Sequence, residues 1–147
     1  MIELDKFIKI FQGLSSAYGQ TVKTDQFSEK GKHKTKSFTI SNPVTKKLWR
    51  EHLEGKDPAL GIVPINKENK CKWGCIDIDT YPFDHKKFIQ KLKEKNIPMI
   101  VCRSKSGGAH AFLFTKDFVP ATVMRVKLKL IASAMGFAGV EIFPKQD

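Results

Sequence analysis

Residues 98–115 read PMIVCRSKSGGAHAFLFT, two apolar runs joined by a polar, glycine-containing loop. PMIVCR (98–103) reads as a buried strand and AHAFLFT (109–115) as a second, with SKSGG (104–108) connecting them. Helical periodicity flanks the pair on both sides. Upstream, Asp84 is suited to cap a helix over 85–95 that buries Phe88, Ile89 and Leu92 and stops at Asn96 and Pro98. Downstream, Met124, Leu128, Ile131 and Met135 recur at spacings of four, three and four, which predicts a helix over 121–135 ended by Gly136. Its Arg125 and Lys129 stand one turn apart on a basic side. The outermost runs, WGCIDID (73–79) and VEIFP (140–144), read as strands. Strand, helix, strand, strand, helix, strand is the split βαβ order of ferredoxin-like and RNA-recognition-motif (RRM) folds. Helices on one face of a mainly antiparallel sheet make the class α+β.

The N-terminal part carries a weaker pattern. Leu4, Phe7, Ile8, Phe11 and Leu14 predict a first short helix. In SNPVTKKLWREHLEG (41–55), Asn42 is the expected cap, Pro43 suits the first turn, and Gly55 is the expected stop. ALGIVPI (59–65) is a short apolar run that can pair with 73–79 as a hairpin. A lysine cluster, Lys23, Lys30, Lys32, Lys34 and Lys36, lies in a polar stretch read as an exposed loop or ragged hairpin, either merely solvated or contacting nucleic acid.

Composition narrows the function classes. The 147 residues suit one domain, and 41% hydrophobic content with 11 Phe and 2 Trp supports a packed core. No apolar run approaches the roughly 20 residues of a membrane-spanning helix, and MIELDKFIKIF lacks a signal peptide's pattern. A formal charge of +11, spread evenly along the chain, points to a polyanion such as nucleic acid or a nucleoside triphosphate. Three cysteines, an odd number, suit a reducing compartment. Cys71 and Cys75 have near metal-binding spacing but no second pair, so all three cysteines, Cys102 included, are read as buried free thiols.

Three segments carry chemistry. Asp77 and Asp79 flank Ile78 on a strand, so both carboxylates point to one face. Two exposed acids at a strand end would look the same, but such a pair repels unless protonated or bridged by a cation, and oxygen ligands suit Mg2+ or Mn2+. In Arg103-Ser104-Lys105-Ser106-Gly107-Gly108-Ala109-His110, amides, hydroxyls and a lysine can all donate to phosphate, though an ordinary hairpin turn reads similarly. It is not a Walker A loop. Glu141 on the last strand is either a surface ion-pair partner or, in split βαβ order, a third carboxylate beside Asp77 and Asp79. Lys145 follows four residues later, within reach of a phosphate.

The succession D-x-D (Asp77, Asp79), S-K-S-G-G-A-H (Ser104 to His110) and E-I-F-P-K-Q (Glu141 to Gln146) resembles the archaeo-eukaryotic primase superfamily. The likeness is to primase-polymerase domains of phage replication proteins and of TOTE conflict systems, over roughly residues 59–147. It implies an RRM-like catalytic core (59–147) beside a smaller N-terminal α/β unit (1–58), the two forming one primase-polymerase domain over 1–147. It implies template-directed nucleotidyl transfer, making RNA or DNA primers from NTPs or dNTPs with two Mg2+ or Mn2+ ions on Asp77, Asp79 and Glu141. Ser106 and His110 fall on the family's triphosphate-binding motif, with Ser104, Lys105, Gly107 and Gly108 beside them; Lys145 transfers on its F-P-K-Q context. The implied partners are a single-stranded DNA template, the nucleotide and a fused or associated helicase, acting in the host cytoplasm and without a membrane. Similar domains continue past F-P-K-Q, so a C-terminally truncated fragment of a larger replication protein is expected. Trp49 and Tyr81 are the two rings on which a template base could stack, with a place on its helix's core face the preferred reading of Trp49.

Two other readings use the same residues. A metal-dependent nuclease shares the carboxylates and basic surface but leaves SKSGGAH unexplained. A non-catalytic single-stranded nucleic-acid-binding module normally presents aromatics on its central strands. Here the central strand presents Asp-Ile-Asp.

Overall fold

The computed structural model describes residues 3–29 and 33–146; Lys30 and Lys32 of the lysine cluster lie outside them. The chain divides into two compact units, Met1–Asn66 and Lys67–Asp147. Both are built from helices and antiparallel sheet, so the fold is α+β.

The first unit contains α1 (Leu4–Phe11), β1 (Tyr18–Phe27), β2 (His33–Ile40), α2 (Lys46–Leu53) and β3 (Ala59–Ile62). Its sheet has the order β2-β1-β3, antiparallel throughout. Lys23 on β1 and Lys34 and Lys36 on β2 therefore lie on a long antiparallel pair of strands, ragged where the register shifts between Lys23 and Phe27. Trp49 of α2 is buried, edge-on to Phe7 of α1 at 5.9 Å, as its core-face position predicts. Thr45, not Asn42, caps α2, accepting from the Leu48 amide at 3.4 Å. Pro43 thus precedes the helix instead of opening it. Gly55, with φ +72°, follows as expected of a stop.

The expected hairpin between ALGIVPI and WGCIDID does not form. Ala59–Ile62 pairs with β1, Ile62 lying opposite Tyr18, and so belongs to the first sheet. Both runs are apolar enough to be strands, but pairing is a non-local choice that neither run specifies alone.

The second unit contains β4 (Lys70–Ile78), α3 (His85–Glu94), β5 (Ile100–Arg103), β6 (Ala109–Pro120), α4 (Ala121–Ala134) and β7 (Glu141–Phe143). These elements follow the split βαβ order and form one four-stranded sheet, β5-β6-β4-β7, with all three pairings antiparallel. Asp84 caps α3 by accepting from the Lys87 amide at 3.0 Å. Met124, Leu128, Ile131 and Met135 are buried, and α4 packs on β4, β6 and β7. The sheet yields to that helix at Gly74, where an added Cβ would lie 2.6 Å from a Leu128 methyl and 2.8 Å from Met124. Even-numbered β4 residues Gly74, Ile76 and Ile78 therefore face the helices, and odd-numbered Trp73, Cys75 and Asp77 face the other way. Phe88 of α3 meets Phe137 beyond α4 at 5.7 Å, and Lys91 donates to the Met135 carbonyl at 3.3 Å, closing the helical layer.

The cysteine expectation holds for two of three. Cys71 and Cys75 are buried and free, and burial pushes the Cys75 thiol up to about 12, so it stays protonated. Cys102 is exposed, because β5 is an edge strand rather than an interior one. For the same reason Ile100 is 58% exposed.

Candidate active site

Register on the face of the second sheet turned away from α4 aligns the chemistry in one row. Asp77 on β4 lies opposite Glu141 on β7 and opposite His110 on β6, and His110 lies opposite Cys102 on β5. Directly opposed residues on antiparallel strands hold their Cβ atoms about 5 Å apart. Three residues from distant parts of the chain are thus neighbours: Glu141, Asp77 and His110. A flanking row of Phe143, Cys75 and Phe112 gives the site an apolar floor on one side.

Asp77 is the least solvated acid of the row, its side chain 19% exposed, and its Oδ1 is buried without a hydrogen-bond partner. His110 Nε2 stands 3.4 Å from that oxygen but makes no hydrogen bond to it. Burial raises the Asp77 carboxyl above its ordinary value; His110 opposes the shift, Asp79 and Glu141 reinforce it, and Lys145 opposes it. Four charged or titratable neighbours thus converge on Asp77 at the strand end. Glu141 is ion-paired with Lys145, whose ammonium also lies 5.0 Å from the Phe143 ring.

Asp79 lies one residue beyond β4 and is exposed. Its Oδ1 accepts from the Tyr81 hydroxyl at 2.9 Å, and the same hydroxyl engages the Ser106 side chain. The bond to Asp79 raises the Tyr81 phenol above its ordinary value. Tyr81 therefore links the acidic strand end to the SKSGG loop. Its ring is 52% exposed, but sequence reading saw only a stacking surface and missed the link, which has no periodic signal.

The loop is held tightly at its base. Ser104 N donates to Gly108 O at 3.0 Å, and Gly107 N donates to Ser104 O at 3.0 Å, with Gly107 at φ +99°. An added Cβ on Gly108 would sit 2.1 Å from the Ile78 carbonyl oxygen, so only glycine lets the loop lie against the end of β4. His85, the first residue of α3, fixes that glycine through Nε2 at 2.9 Å from its carbonyl. This second anchor also went unread, because no motif spacing connects residues 85 and 108. Ser104 is buried, its Oγ unpartnered among the described residues, while Lys105 and Ser106 are exposed at the loop tip.

The candidate residues thus fall into two adjoining groups, the carboxylates with His110 and Lys145, and the loop Ser104–Gly108 joined to them through Tyr81. Among the described residues, no three of His, Cys, Asp and Glu are close enough to form a ready-made metal cage. Mg2+ seldom uses one; it takes one or two carboxylates, waters and substrate phosphates. Like charges directly opposite each other, one of them with an unpartnered buried oxygen, suit such a cation.

Among the described residues, no helix is long and apolar enough to cross a membrane. No curated protein is significantly similar in sequence to this chain. Residues 6–147 match the family described as TOTE conflict system, Archaeo-Eukaryotic Primase domain. With nearly its whole length covered by that match, and its three motifs gathered at one sheet end, the chain belongs to the archaeo-eukaryotic primase domain family of TOTE conflict systems.

Proposed function

We propose that this domain is a template-dependent nucleotidyltransferase, a primase or primase-polymerase that builds RNA or DNA primers from NTPs or dNTPs. The observation that carries the reading is the Glu141–Asp77–His110 row, which sets two carboxylates and a phosphate donor side by side. Family membership supports the reaction class. In the reaction, a primer or first-nucleotide hydroxyl oxygen attacks the α-phosphorus. A new P–O bond forms, the bond to pyrophosphate breaks, and the hydroxyl proton passes to solvent.

Asp77, Asp79 and Glu141 are the residues that would hold two Mg2+ or Mn2+ ions. When bound, these ions supply activation of the hydroxyl and neutralisation of the leaving pyrophosphate. The remaining work falls to the chain itself. His110 offers Nε2 to a triphosphate oxygen, and Lys145, released from Glu141, offers its ammonium to another. Lys105 and the Ser106 hydroxyl, exposed at the loop tip, and the Gly108 amide receive the outer phosphates, while Ser104 and Gly107 hold the loop's shape through their backbone hydrogen bond. Tyr81 holds Asp79 and Ser106 in fixed relation, so acid and loop close on one nucleotide. A single-stranded DNA template is the proposed partner, with a helicase fused or associated, and the host cytoplasm is the proposed place of action.

The test incubates the protein with primed single-stranded DNA, labelled nucleotides and Mn2+ or Mg2+. Metal-dependent extension that disappears in Asp77→Ala supports the proposal. Degradation of the template would favour a nuclease, and intact nucleic-acid binding without extension would favour a binding module.

A further inference from the structure

The hairpin of the first unit carries a combination that the catalytic row does not explain. Strand β2 is an edge strand, and residues 33–39 are all exposed. Lys34, Lys36 and Phe38 occupy alternate positions, so they share one face at intervals of about 7 Å. Lys36 Nζ lies 5.1 Å from the Phe38 ring centroid, and Phe38 is 43% exposed. Near the hairpin's turn, Phe27 is 58% exposed and its ring lies 4.4 Å from His33. Among the described residues, neither Lys34 nor Lys36 pairs with a carboxylate, whereas Lys23 reaches Asp57 at 3.5 Å. Lys23 lies opposite Thr35, on the other face.

Lysines on an edge strand have a simpler use, since they discourage pairing with another chain's strand. That use gives no reason to expose Phe38 beside them, because an exposed aromatic promotes the association that lysines oppose. Cations alternating with an exposed ring match single-stranded nucleic acid, whose phosphates follow the charges while a base stacks on the aromatic. A duplex hides its base faces and would use the lysines alone.

We infer that the Lys34–Lys36–Phe38 face of the hairpin is a binding track for single-stranded nucleic acid, separate from the carboxylate row. The inference does not rest on nucleotidyl transfer. It is tested by fluorescence anisotropy with a labelled oligo-dT 20-mer in EDTA, where no metal-dependent chemistry occurs.

Lys34→Ala/Lys36→Ala should weaken binding and flatten the log–log salt dependence by about 1.4, two contacts at roughly 0.7 each. Phe38→Ala should weaken binding roughly tenfold and leave the salt slope unchanged. Lys23→Ala, on the opposite face, should stay within about twofold, and circular dichroism should show all variants folded. An affinity unchanged in both hairpin variants would overturn the track. So would Phe38→Ala weakening a blunt duplex as much as oligo-dT, because no stacked base would then be involved. Failure of primer extension with the anisotropy pattern intact would remove the catalytic reading and leave this one standing.

Discussion

Replacing Asp77 with Asn should make the metal-free protein more stable while abolishing its activity. The carboxyl is raised first by burial and then by Asp79 and Glu141, with His110 and Lys145 opposing, so its ionised form is held at a cost. A buried acceptor without a partner, as Asp77 Oδ1 is, costs about 1–3 kcal/mol. Asparagine leaves an oxygen there but removes the charge, so a gain on the order of 1 kcal/mol is expected. That corresponds to about 6 °C in Tm for a unit of this size.

The pH dependence has a definite sign. With the folded pKa above the unfolded one, the folded state binds more protons between the two values. Wild-type stability therefore falls as pH rises through that window, and the advantage of Asp77→Asn grows across it. Below the unfolded value of about 3.9 the two proteins should converge. Mn2+ should reverse the order at neutral pH. At ten times its Kd, a ligand of the folded state adds about 1.4 kcal/mol, available to wild type and not to the variant. Thermal unfolding in EDTA and in Mn2+, at several pH values, reads all three effects. A variant less stable than wild type in EDTA, or one stabilised equally by Mn2+, would refute the reasoning.

Gly108→Ala should destabilise by about 2 kcal/mol or more and impair nucleotide binding, since its Cβ meets the Ile78 carbonyl rather than a movable side chain; chemical denaturation and nucleotide titration check this. Tyr81→Phe removes the bond to Asp79 at an exposed site, so stability should change by less than about 1 kcal/mol while extension slows several-fold. Asp84→Ala removes the cap of α3 and should cost about 1 kcal/mol in urea unfolding.

The second unit was legible because its signals are local. Asp84 caps the helix that its position predicts, and the four-three-four spacing of Met124 to Met135 gave the buried face of α4. The row of Asp77, His110 and Glu141 followed from strand order, which the βαββαβ succession restricts. What stayed hidden was non-local. The partner of Ala59–Ile62 depends on a strand forty residues upstream, and the exposure of Cys102 depends on β5 taking the sheet edge. Thr45 overrode Asn42 as the cap, the helix starting three residues later than Pro43 suggested. Tyr81 and His85 act through contacts of the folded chain, 25 and 23 residues from Ser106 and Gly108, and no periodicity reveals them.

The central claim is that the Asp77–Glu141–His110 row transfers nucleotides under template instruction. Single-nucleotide incorporation on four primed templates, differing only in the first unpaired base, tests it most directly. Wild type should add the complementary nucleotide on each template with Mn2+ or Mg2+, and Asp77→Asn and Glu141→Gln should add none. Incorporation independent of the template base, or undiminished in either variant, would contradict it.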